Sequence, residues 1–118
     1  MAVKRIVPNL HAADPALARA FYAEFLGLDP VMDHGWIVTY AHTGAAAPPQ
    51  LSIATEGGGG TPVPALSVEV DDVDAAHARA QALGLQVVYA LTDEPWGVRR
   101  FFVRDPFGNV INLSLIHI

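Results

Sequence analysis

Two tryptophans are the residues of this chain best suited to bind a small molecule. Trp36 follows a glycine and Trp96 lies between a proline and a glycine, and each opens a segment with strand character. Indole rings provide a large apolar area and flat faces, which can stack on a planar ligand or form a cation–π contact. The alternative is that each tryptophan only covers an edge of the hydrophobic core. The candidate ligand-binding residues are Trp36, Tyr40, Trp96, Arg100, Phe102 and Asn112.

No other motif with a recognised chemistry stands out. The five histidines include no pair at metal-ligand spacing on a helix, which favours scattered surface histidines over a metal centre. Asp93 and Glu94 are adjacent on an extended segment, so their carboxylates point to opposite sides and cannot converge on one bond. The glycine run 57–60 lacks the Lys-Ser/Thr of a phosphate-binding loop. The sequence therefore identifies no catalytic residue.

Composition and charge limit the class of protein. The chain has 118 residues, of which 52% are hydrophobic and 16% are charged, against about 25% charged in a typical soluble domain. This length and composition predict one folded domain. The net charge of −5 argues against nucleic-acid binding, which needs clustered Lys and Arg. The absence of cysteine, of an apolar leader and of a membrane-length apolar run predicts a soluble cytoplasmic protein with no membrane partner.

The chain contains an internal repeat. Asp14, followed by proline, is a predicted helix N-cap, and Gly27 is placed to end that helix. Asp72 and Gly84 bracket a second predicted helix about half a chain further on. Each helix is preceded by one predicted strand and followed by three, which gives the order βαβββ twice. We predict module one over residues 1–56, a linker over 57–64 and module two over 65–118.

Alternating apolar residues and the turn signals between them predict the strands. The ranges are 4–10, 29–33, 36–41, 50–55, 65–70, 86–91, 99–104 and 109–115. In the fifth strand Val68 and Val70 share the face expected under the helix, and Ser67 and Glu69 share the other. The face away from the helices is small and polar in several strands. It is therefore either a concave surface lined for a ligand or a solvated sheet face.

Several segments together resemble one protein family. They are Asp14, Phe21-Tyr22, Leu26-Gly27, Val70 to Asp74 and Arg104 to Asn112. The set is similar to the vicinal oxygen chelate superfamily, which includes glyoxalases, fosfomycin-resistance transferases, extradiol dioxygenases and bleomycin-resistance proteins. The resemblance covers nearly the whole chain, and the Asp-Pro-x-Gly-Asn turn is a specific signature. It implies an α+β fold of two tandem βαβββ modules that form curved half-barrel sheets, and a homodimer.

The resemblance also identifies where a metal ion would be held. Enzymes of the superfamily bind a divalent ion with His, Gln or Glu from the first and last strands of their modules. The matching positions in this chain are Val7, Ser52, Ala65 and Asn112. These side chains cannot hold a catalytic divalent ion, so we expect no metal and no cofactor.

Within the superfamily, the chain is most similar to bleomycin-resistance proteins. The similarity lies at Pro8-Asn9-Leu10, at Gly35-Trp36 and at Trp96-Gly97. Those proteins are metal-free dimers that sequester a drug in a hydrophobic crevice. We therefore expect a homodimer that sequesters a small or medium-sized aromatic or hydrophobic molecule, such as a bleomycin-type antibiotic. The net charge of −5 favours a cationic ligand.

Two alternatives to a binding protein remain at this point. One is a lyase, dioxygenase or transferase of the superfamily with displaced metal ligands, or with Arg100, Glu69 or His34 as a metal-independent acid or base. The other is a domain that only dimerises.

Overall fold

A computed structural model of the protein describes residues 1–44 and 46–116. The contacts within the chain divide it into two units. We call residues 7–63 the N-terminal unit, and residues 1–6 together with 64 onward the C-terminal unit. The first strand, β1 (Val3–His11), contributes its first residues to the C-terminal unit and the others to the N-terminal unit.

The N-terminal unit contains a sheet in the strand order β2-β3-β4-β1. Strands β2 (Asp29–Asp33), β3 (Ile37–Ala41) and β4 (Gln50–Ala54) follow one another in antiparallel pairs. Strand β4 then pairs in parallel with β1. The predicted strands of this unit are confirmed to within one residue at each end.

The first predicted helix is replaced by two irregular turns. A 3-10 turn over Pro15–Ala18 begins at Asp14, whose carboxylate accepts a backbone N–H at 3.1 Å. A π-helical turn over Ala20–Phe25 follows, in which the Leu26 N–H bonds to the carbonyl five residues before it. A π turn is wider than an α turn, so it changes which side chains face the sheet.

The apolar side chains of these two turns are divided between the core and the surface. Tyr22 packs on the core of the N-terminal unit, with its ring 5.7 Å from that of Tyr40. Leu17, Phe21 and Phe25 are instead 78%, 53% and 73% exposed. The apolar residues of this segment, which recur at helical spacing in the sequence, therefore do not form one buried stripe.

The C-terminal unit repeats the same connectivity. Strand β5 (Leu66–Val70) leads into helix α1 (Val73–Ala82), followed by β6 (Val87–Asp93), β7 (Val98–Arg104) and β8 (Val110–Ile116). The strand order is β5-β8-β7-β6, and β5 is parallel to β8 as β1 is to β4. The predicted second helix is confirmed, with the Asp72 carboxylate accepting the Ala75 N–H at 3.0 Å.

Helix α1 covers one face of the C-terminal sheet. Val70, Val73 and Phe101 are fully buried between them, and Ala76 and Ala80 supply the helix side of this core. Because side chains alternate along a strand, those on the opposite face of this sheet do not belong to the core under α1. None of the helices in the described residues is long and apolar enough to cross a membrane.

The turn between β7 and β8 is fixed by one carboxylate. Asp105 accepts the Phe107 N–H at 2.8 Å, the Asn109 N–H at 2.9 Å and the Asn109 side-chain amide at 2.9 Å. These hydrogen bonds hold the pKa of Asp105 below its usual value. The turn sets where β8 begins, and so places Asn112.

We expect Asp105→Ala to lower the thermal unfolding midpoint at neutral pH. A lowered folded-state pKa means that the stabilisation is present above the unfolded value of about 3.9 and is lost as the pH falls through the folded value. The difference in midpoint between wild type and variant should therefore shrink on acidification below about pH 4. Asp29→Ala, at an exposed position of β2, is the control. A difference independent of pH would contradict this role of Asp105.

Candidate functional site

Strand β7 presents two different sets of side chains. Phe101 lies in the core under α1, and Arg99 also points to that side, where its Nη2 is 2.9 Å from an Asp74 oxygen. Arg100 and Phe102 alternate with them and therefore lie on the opposite face. We call this the non-helix face of the C-terminal unit; it bears Ser67, Glu69, Tyr89, Arg100, Phe102, Asn112 and Ser114.

The strand register arranges these side chains in two rows. One row crosses the sheet through Ser67, Asn112, Phe102 and Tyr89. The next row runs through Glu69, Ser114 and Arg100. Directly opposed residues have their Cβ atoms about 5 Å apart and diagonal neighbours roughly 7–8 Å apart. Arg100, Phe102 and Asn112 are therefore close enough together for one small molecule to contact all three.

Arg100 is enclosed by aromatic rings. Its Cζ lies 4.7 Å from the ring centroid of Phe102, 5.0 Å from that of Trp96 and 5.2 Å from that of Tyr89. The side chain is only 3% exposed. These distances are within the range of favourable cation–π contacts. The rings therefore hold the guanidinium in one place on the non-helix face.

Glu94 completes this arrangement. Its Oε2 lies 3.4 Å from Arg100 Nη2, and its Oε1 accepts a hydrogen bond of 2.7 Å from the Tyr89 hydroxyl. Glu94 is held at the end of β6 by the hairpin, where its N–H bonds to the Val98 carbonyl at 2.7 Å. With the Glu94 side chain 4% exposed, this is a buried ion pair. Such a pair contributes little net stability, because desolvation offsets the attraction between the charges.

Asn112 brings an incompletely satisfied amide to the same face. Its Nδ2 donates to Ser67 Oγ at 3.1 Å, while its buried Oδ1 has no hydrogen-bond partner among the described residues. Turning the amide over would leave Nδ2 as the unfilled group instead, so one polar position of Asn112 is open either way. A buried polar atom left in this state is costly in free energy unless a ligand or water satisfies it.

The positions that correspond to metal ligands do not suit a divalent ion. Val7 and Ala65 have no donor atom, and the Ser52 hydroxyl lies 2.7 Å from that of Thr39, with which it shares a hydrogen bond. Asn112 is a neutral amide, and divalent transition metals favour imidazole, thiolate or carboxylate. Over residues 1–44 and 46–116, no three His, Asp or Glu side chains come together as a metal cluster. The donor set therefore does not fit the metal that enzymes of this type hold.

The structure brings together some of the predicted ligand residues and not others. Trp96, Arg100 and Phe102 are in contact, and Asn112 lies opposite Phe102. Tyr40 lies in the core of the N-terminal unit, on the same side of β3 as Val38, and burial raises the pKa of its hydroxyl. The ring of Trp36, also in that unit, stacks on His34 with centroids 6.2 Å apart.

Two residues of the site were missed by the sequence analysis. Glu94 was set aside with Asp93 because adjacent carboxylates point to opposite sides; the same separation directs each of them to a different arginine. Asp93 pairs with Arg99 at 3.2 Å, whereas Glu94 pairs with Arg100. Tyr89 was missed because irregular pairing on both sides of it in β6 obscures the alternation.

We expect substitutions of Arg100 and Glu94 to have non-additive effects on the free energy of unfolding. Arg100→Met leaves Glu94 as a buried carboxylate without its cation, and we expect the free energy of unfolding to fall by about 3 kcal/mol or more. The double variant R100M/E94Q removes both charges and should recover most of that loss. Urea unfolding of the wild type, both single variants and the double variant gives the coupling. Strictly additive losses would contradict a direct pair.

Known proteins resemble this chain in sequence. Over 51 residues it is 51% identical to an uncharacterised protein of Mycobacterium bovis and to one of Mycobacterium tuberculosis. The match covers 43% of this chain, and 33% and 29% of the two relatives. The chain thus spans about a third of the length of the curated relatives that it matches.

Solved structures resemble it in fold. A NAD-dependent benzaldehyde dehydrogenase from Legionella pneumophila has a TM-score of 0.75 at 16% identity, covering 95% of this chain and 99% of that one. Methylmalonyl-CoA epimerase from Mycobacterium tuberculosis has a TM-score of 0.70 at 23% identity, covering 98% and 90%. A superfamily member from Vibrio splendidus 12B01 has a TM-score of 0.68 at 19% identity, covering 97% and 99%.

At these identities the structural likeness concerns the fold alone, and it confirms the expected α+β, glyoxalase-like architecture. The sequence itself gives the family. Residues 5–113 match the model for the Glyoxalase/Bleomycin resistance protein/Dioxygenase superfamily, to which this chain therefore belongs.

Proposed function

We propose that this protein binds a small or medium-sized aromatic or hydrophobic molecule, without a metal ion, on the non-helix face of the C-terminal unit. The observation that carries the proposal is the chemistry of that face. A layer that served only for packing would be apolar, because burying charges and amides is unfavourable. Here Arg100, Glu94 and Asn112 are buried instead, and an unfilled position remains on Asn112.

The aromatic residues supply the apolar contact for such a ligand. Phe102 lies across from Asn112, and Trp96 is partly exposed at the turn before β7. Ligand sites typically combine aromatic walls with a few polar groups that fix orientation. Trp36 stays a predicted ligand residue, and the variant Trp36→Ala tests it separately.

Sequestration is the role that we propose for this binding. Tight binding of a toxic aromatic compound removes it from its target without any chemical step, so the protein needs no metal and no catalytic group. The superfamily includes proteins named for bleomycin resistance, which supports an antibiotic as the ligand.

Catalysis by a metal-independent enzyme is the second candidate, and one observation favours it. The Tyr89 hydroxyl and the Glu94 carboxylate are joined by a 2.7 Å hydrogen bond beside Arg100, so a proton donor, an acceptor and a cation adjoin one another. Groups of this kind perform general acid–base catalysis in other proteins. Recovery of a bound compound unchanged after long incubation supports sequestration, whereas a chemically altered product supports the enzyme.

We expect Trp96→Ala to weaken ligand binding roughly five-fold to thirty-fold. Ring stacking typically contributes on the order of 1 kcal/mol beyond the burial of area, and the indole also provides area. The probes are bleomycin, 2-naphthol, 2-naphthoate and 2-naphthamidine. Their binding is measured by the change in fluorescence of the two tryptophans of the chain. Trp36→Ala, measured in the same way, tests the prediction for the N-terminal unit.

Gln81→Ala on the surface of α1 is the control for these variants and should bind as the wild type does. Circular dichroism of each variant excludes loss of folding as the cause. Wild-type protein that binds none of the probes would contradict the proposed function, and so would a folded Trp96→Ala variant with unchanged affinity for every probe.

We also propose that the protein is a homodimer. Exposed apolar side chains of the 3-10 and π turns, notably Leu17 and Phe25, support an apolar interface. Light scattering at micromolar concentration should give twice the chain mass of 12.6 kDa. Phe25→Glu should shift the protein towards the monomer, whereas Gln81→Glu should not. A mass of 12.6 kDa for the wild type would contradict this proposal.

A further inference from the structure

The charge of the ligand can be inferred from Arg100, whose guanidinium already lies against the aromatic rings. We infer that the non-helix face recognises an aromatic acid, a planar ring system whose carboxylate or other oxyanion is met by Arg100. This inference rests on the proposed function, because it names the class of molecule that the same face binds. It departs from the cationic ligand that the overall charge favoured.

The first reason is that the aromatic rings that could bind a cation already contact the Arg100 guanidinium. Three aromatic rings lie within 5.2 Å of the Arg100 guanidinium carbon. A cationic ligand would have to displace this guanidinium or approach it closely, and like charges in a desolvated setting repel strongly. An anion meets the opposite situation, because the rings hold the guanidinium in place before the ligand arrives.

The second reason is the local balance of charge. Lys4 and Arg5 contact the Glu69 carboxylate at 3.8 and 2.7 Å, and Arg100 pairs with Glu94. The Glu69 carboxylate, which lies in the same row as Arg100, is thus offset by two cations and repels an anion less than a lone carboxylate would, although the chain as a whole has a net charge of −5. Steering of a charged ligand depends on the field at the site more than on the net charge.

The third reason is the geometry of the Glu94 contact. Arg100 Nη2 and Glu94 Oε2 are 3.4 Å apart, whereas strong charge-assisted hydrogen bonds are about 2.7–2.9 Å long. The other oxygen of Glu94 is held by the Tyr89 hydroxyl at 2.7 Å. The contact of Glu94 with Arg100 Nη2 is thus longer than a close charge-assisted hydrogen bond, and a ligand carboxylate can compete with it.

Asn112 adds a second polar contact for the same molecule. It lies directly opposite Phe102 and diagonal to Arg100, which places it roughly 7–8 Å from the Arg100 position. The ring of Phe102 lies next to both positions. A planar acid with a hydroxyl or amide group at its far end can therefore reach Arg100 and Asn112 together, with its ring over Phe102.

The test compares ligands of one shape and opposite charge. Isothermal titration of the wild type with 2-naphthoate and 2-naphthamidine should give at least ten-fold tighter binding of the acid, the scale of one hydrogen bond to a charged group. The hydroxylated acid 6-hydroxy-2-naphthoate should bind more tightly than 2-naphthoate. That gain should disappear in Asn112→Leu.

Variants of two adjacent arginines provide the matched comparison. R100M/E94Q removes the cation while avoiding a lone buried carboxylate, and it should lose the preference for the acid. Arg99→Gln changes the neighbouring arginine, which faces Asp74 on the opposite side of β7, and should keep the preference. Glu94→Gln, which removes the competing carboxylate, should bind the acid at least as tightly as the wild type.

The outcomes separate this inference from the proposed function. Equal or tighter binding of the amidine by the wild type overturns the acid preference while leaving a binding protein. An unchanged preference in folded R100M/E94Q overturns the role of Arg100 alone. A wild type that binds neither the naphthalene compounds nor bleomycin overturns both.

Discussion

The placement of a buried guanidinium on a sheet face is the constraint on which the C-terminal unit depends. Successive residues of a strand point to opposite faces, so the fully buried Phe101 fixes Arg100 and Phe102 on the side away from α1. A cation there needs partners that also exclude water. The β6–β7 hairpin supplies them by placing Trp96 against the guanidinium and Glu94 beside it.

The same constraint underlies the proposal that this face binds a molecule without a metal ion. In metal-dependent members of the superfamily a divalent ion supplies the positive charge. Here Ala65 and Asn112 stand at two of the ligand positions, and the buried positive charge belongs to Arg100. An arginine is always charged and presents several donors in a fixed plane, which suits recognition of a carboxylate. It cannot act as a Lewis acid towards a bound oxygen, so its part in the proposed function is to bind a ligand and hold it in place.

Much of the fold could be predicted because its signals are local. Alternation identifies the strands, Asp72 identifies the start of α1, and Asp105 identifies the turn before β8. The 3-10 and π turns near residues 15–25 could not be predicted, since the sequence spacing there also satisfies an α-helix. Within these turns Tyr22 packs against Tyr40, which is a contact between residues distant in sequence.

The site could be predicted only in part, for a similar reason. Trp96, Arg100 and Phe102 follow from one turn and one strand, whereas the contributions of Tyr89 and Glu94 depend on the irregular pairing of β6 with β7. Tyr40 was included as an aromatic residue on a predicted strand, and the structure places it in the core of the N-terminal unit, on the same side of β3 as Val38.

A ligand site on the non-helix face can be tested directly by a nuclear magnetic resonance titration of labelled protein with 2-naphthoate, in which the side-chain N–H signals are followed. The Trp96 indole, the Arg100 guanidinium and the Asn112 amide should shift together and saturate at one concentration, while the Arg99 guanidinium should not move. Shifts confined to α1 or to the N-terminal unit, with Arg100 and Asn112 unchanged, would contradict a ligand site on the non-helix face.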